Sequence, residues 1–306
     1  MRIYIAGPMR GYRNYNFPAF DAARDHLVGL GHEVTSPADL DRAAGFVTEH
    51  EGCVELTDAF SIHKALRQDL AVITSCDAVA FLPGWEASAG SLAERRVAMD
   101  VGCQLWRVDP VAETFEREVV VGLSGYARSG KDTVAKILVE QHGFVHAAFA
   151  DALKRILLCL DPLIAVHIRL GDIEGGIEAA KEYPEVRQLL QRLGQEAGRS
   201  VLGEDIWVRT LFERCPARMV VSDCRYPNEA AAIRSRGGLV LRVERPGCGP
   251  INSHGSETAL DGFDFDAVID NDGSIEDLVA KLDTVLRSSD LAKAVPAEAP
   301  TAEAVA

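Results

Sequence analysis

No apolar run in this chain reaches the roughly 20 residues that a membrane span requires. Cysteine is sparse: Cys53, Cys76, Cys103, Cys159, Cys215, Cys224 and Cys248 are scattered, odd in number, and form no C-x-x-C pair. That pattern excludes zinc knuckles and a disulfide framework, and reduced thiols are expected. Positive charge is also short, with 32 Lys plus Arg against 46 Asp plus Glu and a formal net charge of -14. So acidic a chain repels phosphate backbones at long range, so neither polymeric nucleic acid nor an anionic membrane is an expected partner. A small phosphate ligand stays open, because a glycine-rich loop at a helix start binds one locally. The opening residues, MRIYIAGPMRGY, show no separate apolar segment and no small-residue cleavage site, so a cytoplasmic protein without a secretory signal is expected. What is present is ordinary globular composition, 47% hydrophobic and 25% charged, over 306 residues, enough for two domains.

Apolar runs alternate with amphipathic stretches, the pattern of parallel sheets covered by helices. The expected fold class is α/β, with two doubly wound parallel-sheet domains at 1–110 and 118–287 and a disordered Ala/Pro/Glu-rich tail over 288–306. In the first domain the pattern predicts strands at 2–7, 32–37, 78–84 and 104–109, and helices at 17–30, 61–74 and 88–102. Residues 38–60 read as a loop over the strand ends, and Pro110 to Arg117 as a linker. In the second, strands are expected at 118–125, 145–150, 218–224, 239–245 and 267–271. Helices are expected at 131–142, 151–160 and 274–287, with a largely helical region near 177–214.

The strongest local signal is VVVGLSGYARSGKDTVAKIL, where Gly125, Gly130 and Lys131 fall between a predicted strand and a predicted helix. Glycines let backbone N–H groups turn toward phosphate oxygens, the helix start adds positive potential, and the lysine bridges phosphates. The candidate nucleotide-binding set is Gly125, Ser129, Gly130, Lys131, Asp132 and Thr133, a P-loop whose K-x-T arrangement resembles that of nucleoside monophosphate kinases. Asp132 stands where a hydroxyl is usual, and either faces magnesium-bound water or caps the helix. Asp223 ends the run MVVSD, where a carboxylate holds Mg2+ through water or else begins a turn. Arg155, Arg169, Arg199 and Arg225 are candidates to neutralise a moving phosphoryl group, most of them expected to be ordinary surface residues.

GYARSGKDTVA, FADALK (149–154), LQRLGQEAGR (190–199), DIWV (205–208), VVSDCRYPNEAAAIRSRGG (220–238) and HGSE (254–257), in this order, resemble the phage deoxynucleoside monophosphate kinases. The resemblance implies ATP-dependent phosphorylation of a dNMP to a dNDP, with Mg2+. It also implies Asp151 and Arg155 near the acceptor nucleotide, Arg225 and Asn228 near the phosphates, and Lys131 and Asp223 as catalytic groups. Trp207 either stacks a base or fills a helical core. His254, Ser256 and Glu257 match the H-x-S-E pattern, in a segment able to serve as a lid.

Three clusters in the first domain fall at predicted strand ends or helix starts. Tyr4 lies in the first strand and Arg10 just beyond it, Asp69 lies in a helix, and a Ser88–Ser91 turn opens the helix bearing Glu94. Such a turn with Arg10 suits one phosphate, and a glycosidic bond wants two carboxylates beside the sugar. Tyr4, Gly7, Arg10 and Gly11, with Asp69, Ser88, Gly90 and Glu94, resemble the nucleoside 2-deoxyribosyltransferase superfamily, most closely its deoxynucleoside 5′-monophosphate N-glycosidase branch. That resemblance makes Glu94 the nucleophile or oxocarbenium stabiliser and gives Asp69 the base or the attacking water. It assigns Tyr4 to orienting the sugar and Glu94, Arg10 and Ser88 to the 5′-phosphate, and Gly11 and Gly90 to the substrate-binding set. Pro8 departs from it, standing where that branch often has a serine, and Asp39 to Phe60 has no counterpart. The combined expectation is a bifunctional enzyme of deoxynucleotide metabolism acting on small nucleotides, with a homodimer expected for the glycosidase part. Two alternatives stay open: a kinase whose first domain is a nucleotide-binding regulatory module, and a P-loop regulatory ATPase acting on a protein.

Overall fold

A computed structural model of the chain describes residues 1–45, 62–213, 216–250 and 255–289. It divides into two compact units, Met1–Val119 with the short segment Ser235–Gly237, and the remainder from Val120 onward. Among the described residues no helix is long and apolar enough to cross a membrane. The α/β class with parallel sheets holds for both units.

In the first unit the elements are β1 (Arg2–Ala6), α1 (Phe17–Gly29), β2 (Glu33–Thr35), α2 (Pro37–Ala43), α3 (Ile62–Ile73), β3 (Ala78–Phe81), α4 (Ala89–Asp100), β4 (Gln104–Asp109) and β5 (Thr114–Arg117). The sheet order is β2-β1-β3-β4-β5, parallel except for β4 with β5. Its central strands are buried on both faces, so β1 and β3 read as continuous apolar runs. The two-residue period then sorts β1. Ile3 and Ile5 pack with Phe17, Phe20 and Leu27 of α1, whereas Tyr4 and Ala6 pack on the other face with Ile73, Trp85 and Ala98. That alternation delivers the Tyr4 hydroxyl to the side carrying α3 and α4.

Two expectations are corrected here. Pro110 to Arg117 is no linker: Thr114–Arg117 pairs antiparallel with β4. The Asp109 carboxylate accepts the N–H groups of Val111 and Ala112 to make the turn, and Phe115 stacks on Trp106 at 4.2 Å. Within 38–60, residues up to Ala43 continue α2, which Pro37 opens at its first turn. The rest of that stretch from 46 lies outside the described residues.

The second unit runs β6 (Val119–Ser124), α5 (Lys131–His142), β7 (Val145–Ala147), α6 (Asp151–Leu160), β8 (Leu163–Ala165), β9 (Ile168–Arg169), α7 (Gly176–Ala180), α8 (Pro184–Arg192), a π-helix over Leu193–Leu202, α9 (Ile206–Phe212), β10 (Arg218–Val221), α10 (Pro227–Arg234), β11 (Leu239–Glu244), α11 (Gly255–Thr258), β12 (Ala267–Asp270) and α12 (Ile275–Ser288). Its main sheet has the order β12-β11-β6-β10-β7, with β6 central and fully buried. The β8–β9 hairpin and α10 go beyond the pattern-based reading. Helix α12 shows a capping box, Ser274 with Asp277, and buries Leu278, Leu282 and Leu286 at four-residue spacing. The expected tail lies outside the described residues from 290, as does His254, and nothing is described of the Ser256 and Glu257 side chains.

Candidate active sites

A cavity of about 570 Å3 opens in the first unit at the C-terminal end of β1, where the strand order turns from β2 to β3. Ligands bind at such switch points in open α/β sheets. Arg10, Asp69, Ser88, Gly90 and Glu94 all line it, as the sequence predicts, and Asp41 joins them. Tyr4 donates from its hydroxyl to Glu94 Oε1 at 3.0 Å, across 90 residues of sequence. Ser88 is the N-cap of α4, its Oγ accepting from the Ser91 N–H at 3.3 Å, and this capped helix start lines the cavity. Gly11 does not line the cavity. Its φ of +80° makes the turn just after Arg10. Pro8 does line it and offers no hydroxyl, so Arg10 and the α4 start are the phosphate-type groups on this wall.

The electrostatics are unusual for surface carboxylates. Burial, and then the charge of Asp69, push Glu94 up to about 8, against a lowering hydrogen bond from Tyr4. Burial raises Asp69 to about 6, again opposed by Tyr4. The Tyr4 phenol itself is held well above its ordinary value by burial and by both carboxylates. Asp41 is raised to about 6 by burial and by Asp69. Two carboxyls with separated proton affinities, braced by one phenol in a cleft, can divide acid and nucleophile roles.

The neighbouring Arg95 is structural. It pairs with Glu118 at 2.7 Å, both almost fully buried, and lies over the Trp85 ring at 5.0 Å.

In the second unit the loop from Gly125 to Gly130 joins β6 to α5 in the geometry a phosphate cradle needs. Gly125 has φ +138° and Gly130 φ +106°. A Cβ at Gly125 would meet the Val243 carbonyl, and one at Gly130 would meet the Asn271 amide, so the backbone itself forms the wall. Lys131 donates from Nζ to the carbonyls of Gly125 and Tyr126 at 2.7 and 2.8 Å. Ser129 is buried, while Asp132 and Thr133 are exposed on the first turn of α5. Asp132 makes no side-chain cap of α5, whose N-cap is Gly130. The small cavity above the loop is lined by Lys131 and Arg225, and by Arg242, an arginine the sequence reading passed over. Arg242 is buried on β11 and lies over the Tyr126 ring of the loop at 4.6 Å. Three cations around one glycine-rich loop fit a polyphosphate.

Arg225 also lines a larger neighbouring cavity of about 220 Å3, walled by α6, the π-helix and the start of α10. Lys154, Arg199, Trp207, Asp223 and Glu229 face it too. Trp207 fills a core position: it is buried, donates to the Gly194 carbonyl at 2.9 Å, and presses on Gly198 so closely that no Cβ fits there. Arg199 pairs with Glu229 and lies over the Tyr226 ring at 4.2 Å. Glu229 further accepts the N–H groups of Arg225 and Tyr226, fixing the turn that presents Arg225. Burial pushes Glu229 up to about 7. The signal for it was R-Y-P-N-E, a proline at a helix start with an acid in its first turn.

Asp223 is bound up with the backbone at the entry to α6. Its two oxygens accept the N–H groups of Phe149 at 2.7 Å and Ala150 at 3.0 Å, pinning the entry to α6, and burial raises its carboxyl. Among the described residues no three His, Cys, Asp or Glu side chains converge as a metal centre. Asp151 and Arg155 lie together on α6. They line a separate cavity of about 500 Å3 shared with α9. Four residues apart, they share one face of α6, while Leu153 and Lys154 face the cavity that holds Arg225. Asp151 accepts the Ala148 N–H at 2.8 Å. Arg169 is exposed and bonds the Asp161 carbonyl, away from both cavities.

A parallel sheet centred on a P-loop strand, with a cationic cradle and a second pocket beside it, defines a P-loop nucleotide-binding unit. Residues 161–282 match the family described as deoxynucleotide monophosphate kinase. A putative deoxynucleotide monophosphate kinase of Acanthamoeba polyphaga mimivirus is 30% identical over 187 residues, 54% of this chain and 94% of that protein. The deoxynucleotide monophosphate kinase of Enterobacteria phage T4 is 33% identical over 126 residues, 39% of this chain and 51% of its own length. The chain belongs to the deoxynucleotide monophosphate kinase family. Residues 1–107 match a family described as a domain of unknown function, DUF4406, which assigns no chemistry to the first unit.

Proposed function

We propose that the second unit transfers the γ-phosphoryl group of ATP to a deoxynucleoside 5′-monophosphate, and that the first unit hydrolyses the N-glycosidic bond of a deoxynucleoside 5′-monophosphate. Family membership and the cationic cradle of Lys131, Arg225 and Arg242 support the kinase reading. The acceptor then occupies the cavity beside Arg225, and Arg225, lining both cavities, serves the group that passes between them. Mg2+ is the ordinary companion of ATP in this chemistry. Asp223 contributes by holding the Phe149–Ala150 backbone at the edge of the acceptor cavity.

The glycosidase reading is carried by one observation: Glu94, held at 3.0 Å by the hydroxyl of the buried Tyr4, shares a cavity with Asp69, Arg10 and the Ser88 helix start. The 5′-phosphate binds Arg10 and the α4 N-terminus, which sets C1′ against Glu94. As the C1′–N bond breaks, its electron pair leaves with the base, and Asp69 supplies a proton to that leaving group. Glu94, as carboxylate, stabilises the cationic sugar carbon. Water then adds to C1′ and gives its proton back to a carboxylate, so the products are free base and deoxyribose 5-phosphate. Glu94 holds its proton more tightly than Asp69 in the protein alone, and a developing positive charge at C1′ reverses that order.

Incubating the full chain with each dNMP, with and without ATP and Mg2+, and separating the products by chromatography tests both halves. The expected result is dNDP only with ATP, and free base without it. Glu94→Ala should abolish base release alone. A chain that releases no base under any condition yet still binds nucleotides has a first unit that is a nucleotide-binding module.

A further inference from the structure

Arg199 and Asn228, both candidates for the phosphates from sequence, are bonded to other parts of the second unit. The network starts at α10. Pro227, Asn228 and Glu229 are its first three residues, and Glu229 Oε2 reaches back to accept the N–H groups of Arg225 at 2.7 Å and Tyr226 at 3.0 Å. An acid in the third position of a helix caps its own start in this way. Such a cap uses one carboxylate oxygen. The other one, Oε1, accepts from Arg199 Nη2 at 2.5 Å, 30 residues away on the π-helix. The same guanidinium donates through Nη1 to the Glu204 carbonyl at 3.1 Å and to Asn228 Oδ1 at 3.3 Å, and it lies over the Tyr226 ring at 4.2 Å. The Asn228 amide in turn donates to the Glu204 carbonyl at 3.2 Å and to Asp205 Oδ1 at 2.9 Å. Side-chain exposure is 10% for Arg199 and 4% for Glu229, so the pair is out of water. Desolvation offsets most of the attraction in a buried pair, while a guanidinium fork with several fixed partners holds one geometry.

We propose that Arg199 and Glu229 are positioning residues of phosphoryl transfer, which hold the turn carrying Arg225 against the π-helix, and that Arg199 acts through Arg225 rather than on a phosphate. The proposal rests on the kinase reading, in which Arg225 serves the group that passes between the two cavities it lines. Glu229 fixes the backbone of that turn at two successive N–H groups. Arg199 then holds Glu229 from one side and the Tyr226 ring from the other, and Pro227 restricts the chain just beyond. For Arg199 to turn to a phosphate it would have to abandon Glu229, leaving a buried carboxylate without its ion-pair partner, which is strongly unfavourable. Asn228 completes the tie, since its amide joins the start of α10 to the Glu204–Asp205 turn that follows the π-helix. The sequence RYPNE supplies the local cap, and only the fold brings Arg199 to its second oxygen.

The test measures dNMP phosphorylation by the full chain with ATP and Mg2+. It compares Arg199→Lys, Glu229→Gln and Arg225→Ala alone, and each of the first two combined with the third. Lysine keeps the charge of Arg199 and loses its planar fork, and glutamine keeps the shape of Glu229 and loses its charge. Each of these two should lower kcat by ~10–100-fold, the effect of misplacing a catalytic group by about 1 Å. KM for ATP should stay within ~3-fold, because the P-loop is untouched. In the Arg225→Ala background either substitution should lower kcat by less than ~3-fold further, since the group they place is gone. A full additional loss in that background means action independent of Arg225 and overturns the proposal, as does an unchanged kcat in the single variants. Should a single variant fail to bind ATP, Arg199→Met joined with Glu229→Gln leaves no lone buried charge and takes its place in the same cycle. An undiminished kcat in Arg225→Ala overturns the role of Arg225 on which the proposal rests. A wild type that phosphorylates no dNMP overturns the kinase reading itself, an outcome distinct from the others.

Discussion

Replacing Tyr4 by Phe removes one oxygen from a fully buried ring and leaves its packing against Ile73, Trp85 and Ala98 intact. Its effect on the first site can be worked out. With Glu94 at about 8 and Asp69 at about 6, the pair holds one proton between these values and two below them. One proton on two carboxyls is the state that glycosidic cleavage needs, an acid for the leaving base and an anion for the sugar. Base release should therefore follow a bell centred near neutrality, with limbs at about 6 and about 8. The Tyr4 hydroxyl favours the ionised form of both carboxyls, so removing it raises both limbs. A hydrogen bond to a charged group is worth ~1.5–3 kcal/mol, and 1.36 kcal/mol is one pKa unit, so the alkaline limb should move up by ~1–2 units. The assay is base release from a dNMP without ATP, at constant ionic strength from about pH 5 to pH 10, spanning the expected limbs. An alkaline limb that stays put in Tyr4→Phe, or a flat wild-type profile, refutes the role given to the Tyr4–Glu94 contact.

The other perturbations separate the two units. Lys131→Ala should lower dNMP phosphorylation by ~100–1,000-fold, as loss of one preorganised donor at a phosphate does, and leave base release unchanged. Normal phosphorylation by the folded variant would remove the P-loop assignment. Glu94→Gln should stabilise the protein at alkaline pH. The folded carboxyl binds its proton up to about 8 against 4.5 when unfolded, so wild-type stability is lost as pH rises through that window. The gain is bounded by ~5 kcal/mol at pH above the folded value and vanishes near pH 4, read from melting temperatures at both ends. Arg95→Met leaves Glu118 buried without its closest partner and should cost ~3–5 kcal/mol in a urea titration, whereas a change under ~1 kcal/mol would mean that Arg107 replaces it.

The fold was legible where periodicity carried it. Strands such as AVAF and VVVGLS, buried on both faces, and the four-residue stripe of α12 state their own environment. The misses have local physical causes. TFER has no strong apolar alternation, and becomes a strand because the Asp109 turn returns it to β4 and Phe115 finds Trp106. Leu193–Leu202 carries a helical pattern, but its π geometry is a matter of packing: Gly198 lets the Trp207 ring approach, and the Gly194 carbonyl takes the indole N–H.

The sites divide along the same line. Glycines at special φ and a lysine at a helix start are read from spacing, because the backbone dictates both. A carboxylate is not read that way. Asp223 was placed correctly at its strand end, yet a strand end beside a helix start offers it two backbone N–H groups as readily as a hydrated cation. Which demand it meets depends on where Phe149 and Ala150 run, 74 and 73 residues away in sequence and adjacent in space. Asp41 shows the converse: it stands in no chemical motif, and it gains its character from burial and from Asp69 on another element. The net charge of -14 follows the same logic. It governs what approaches from a distance, while Lys131, Arg225 and Arg242 set the local charge around one loop, because at contact distance a few local charges outweigh a screened global one.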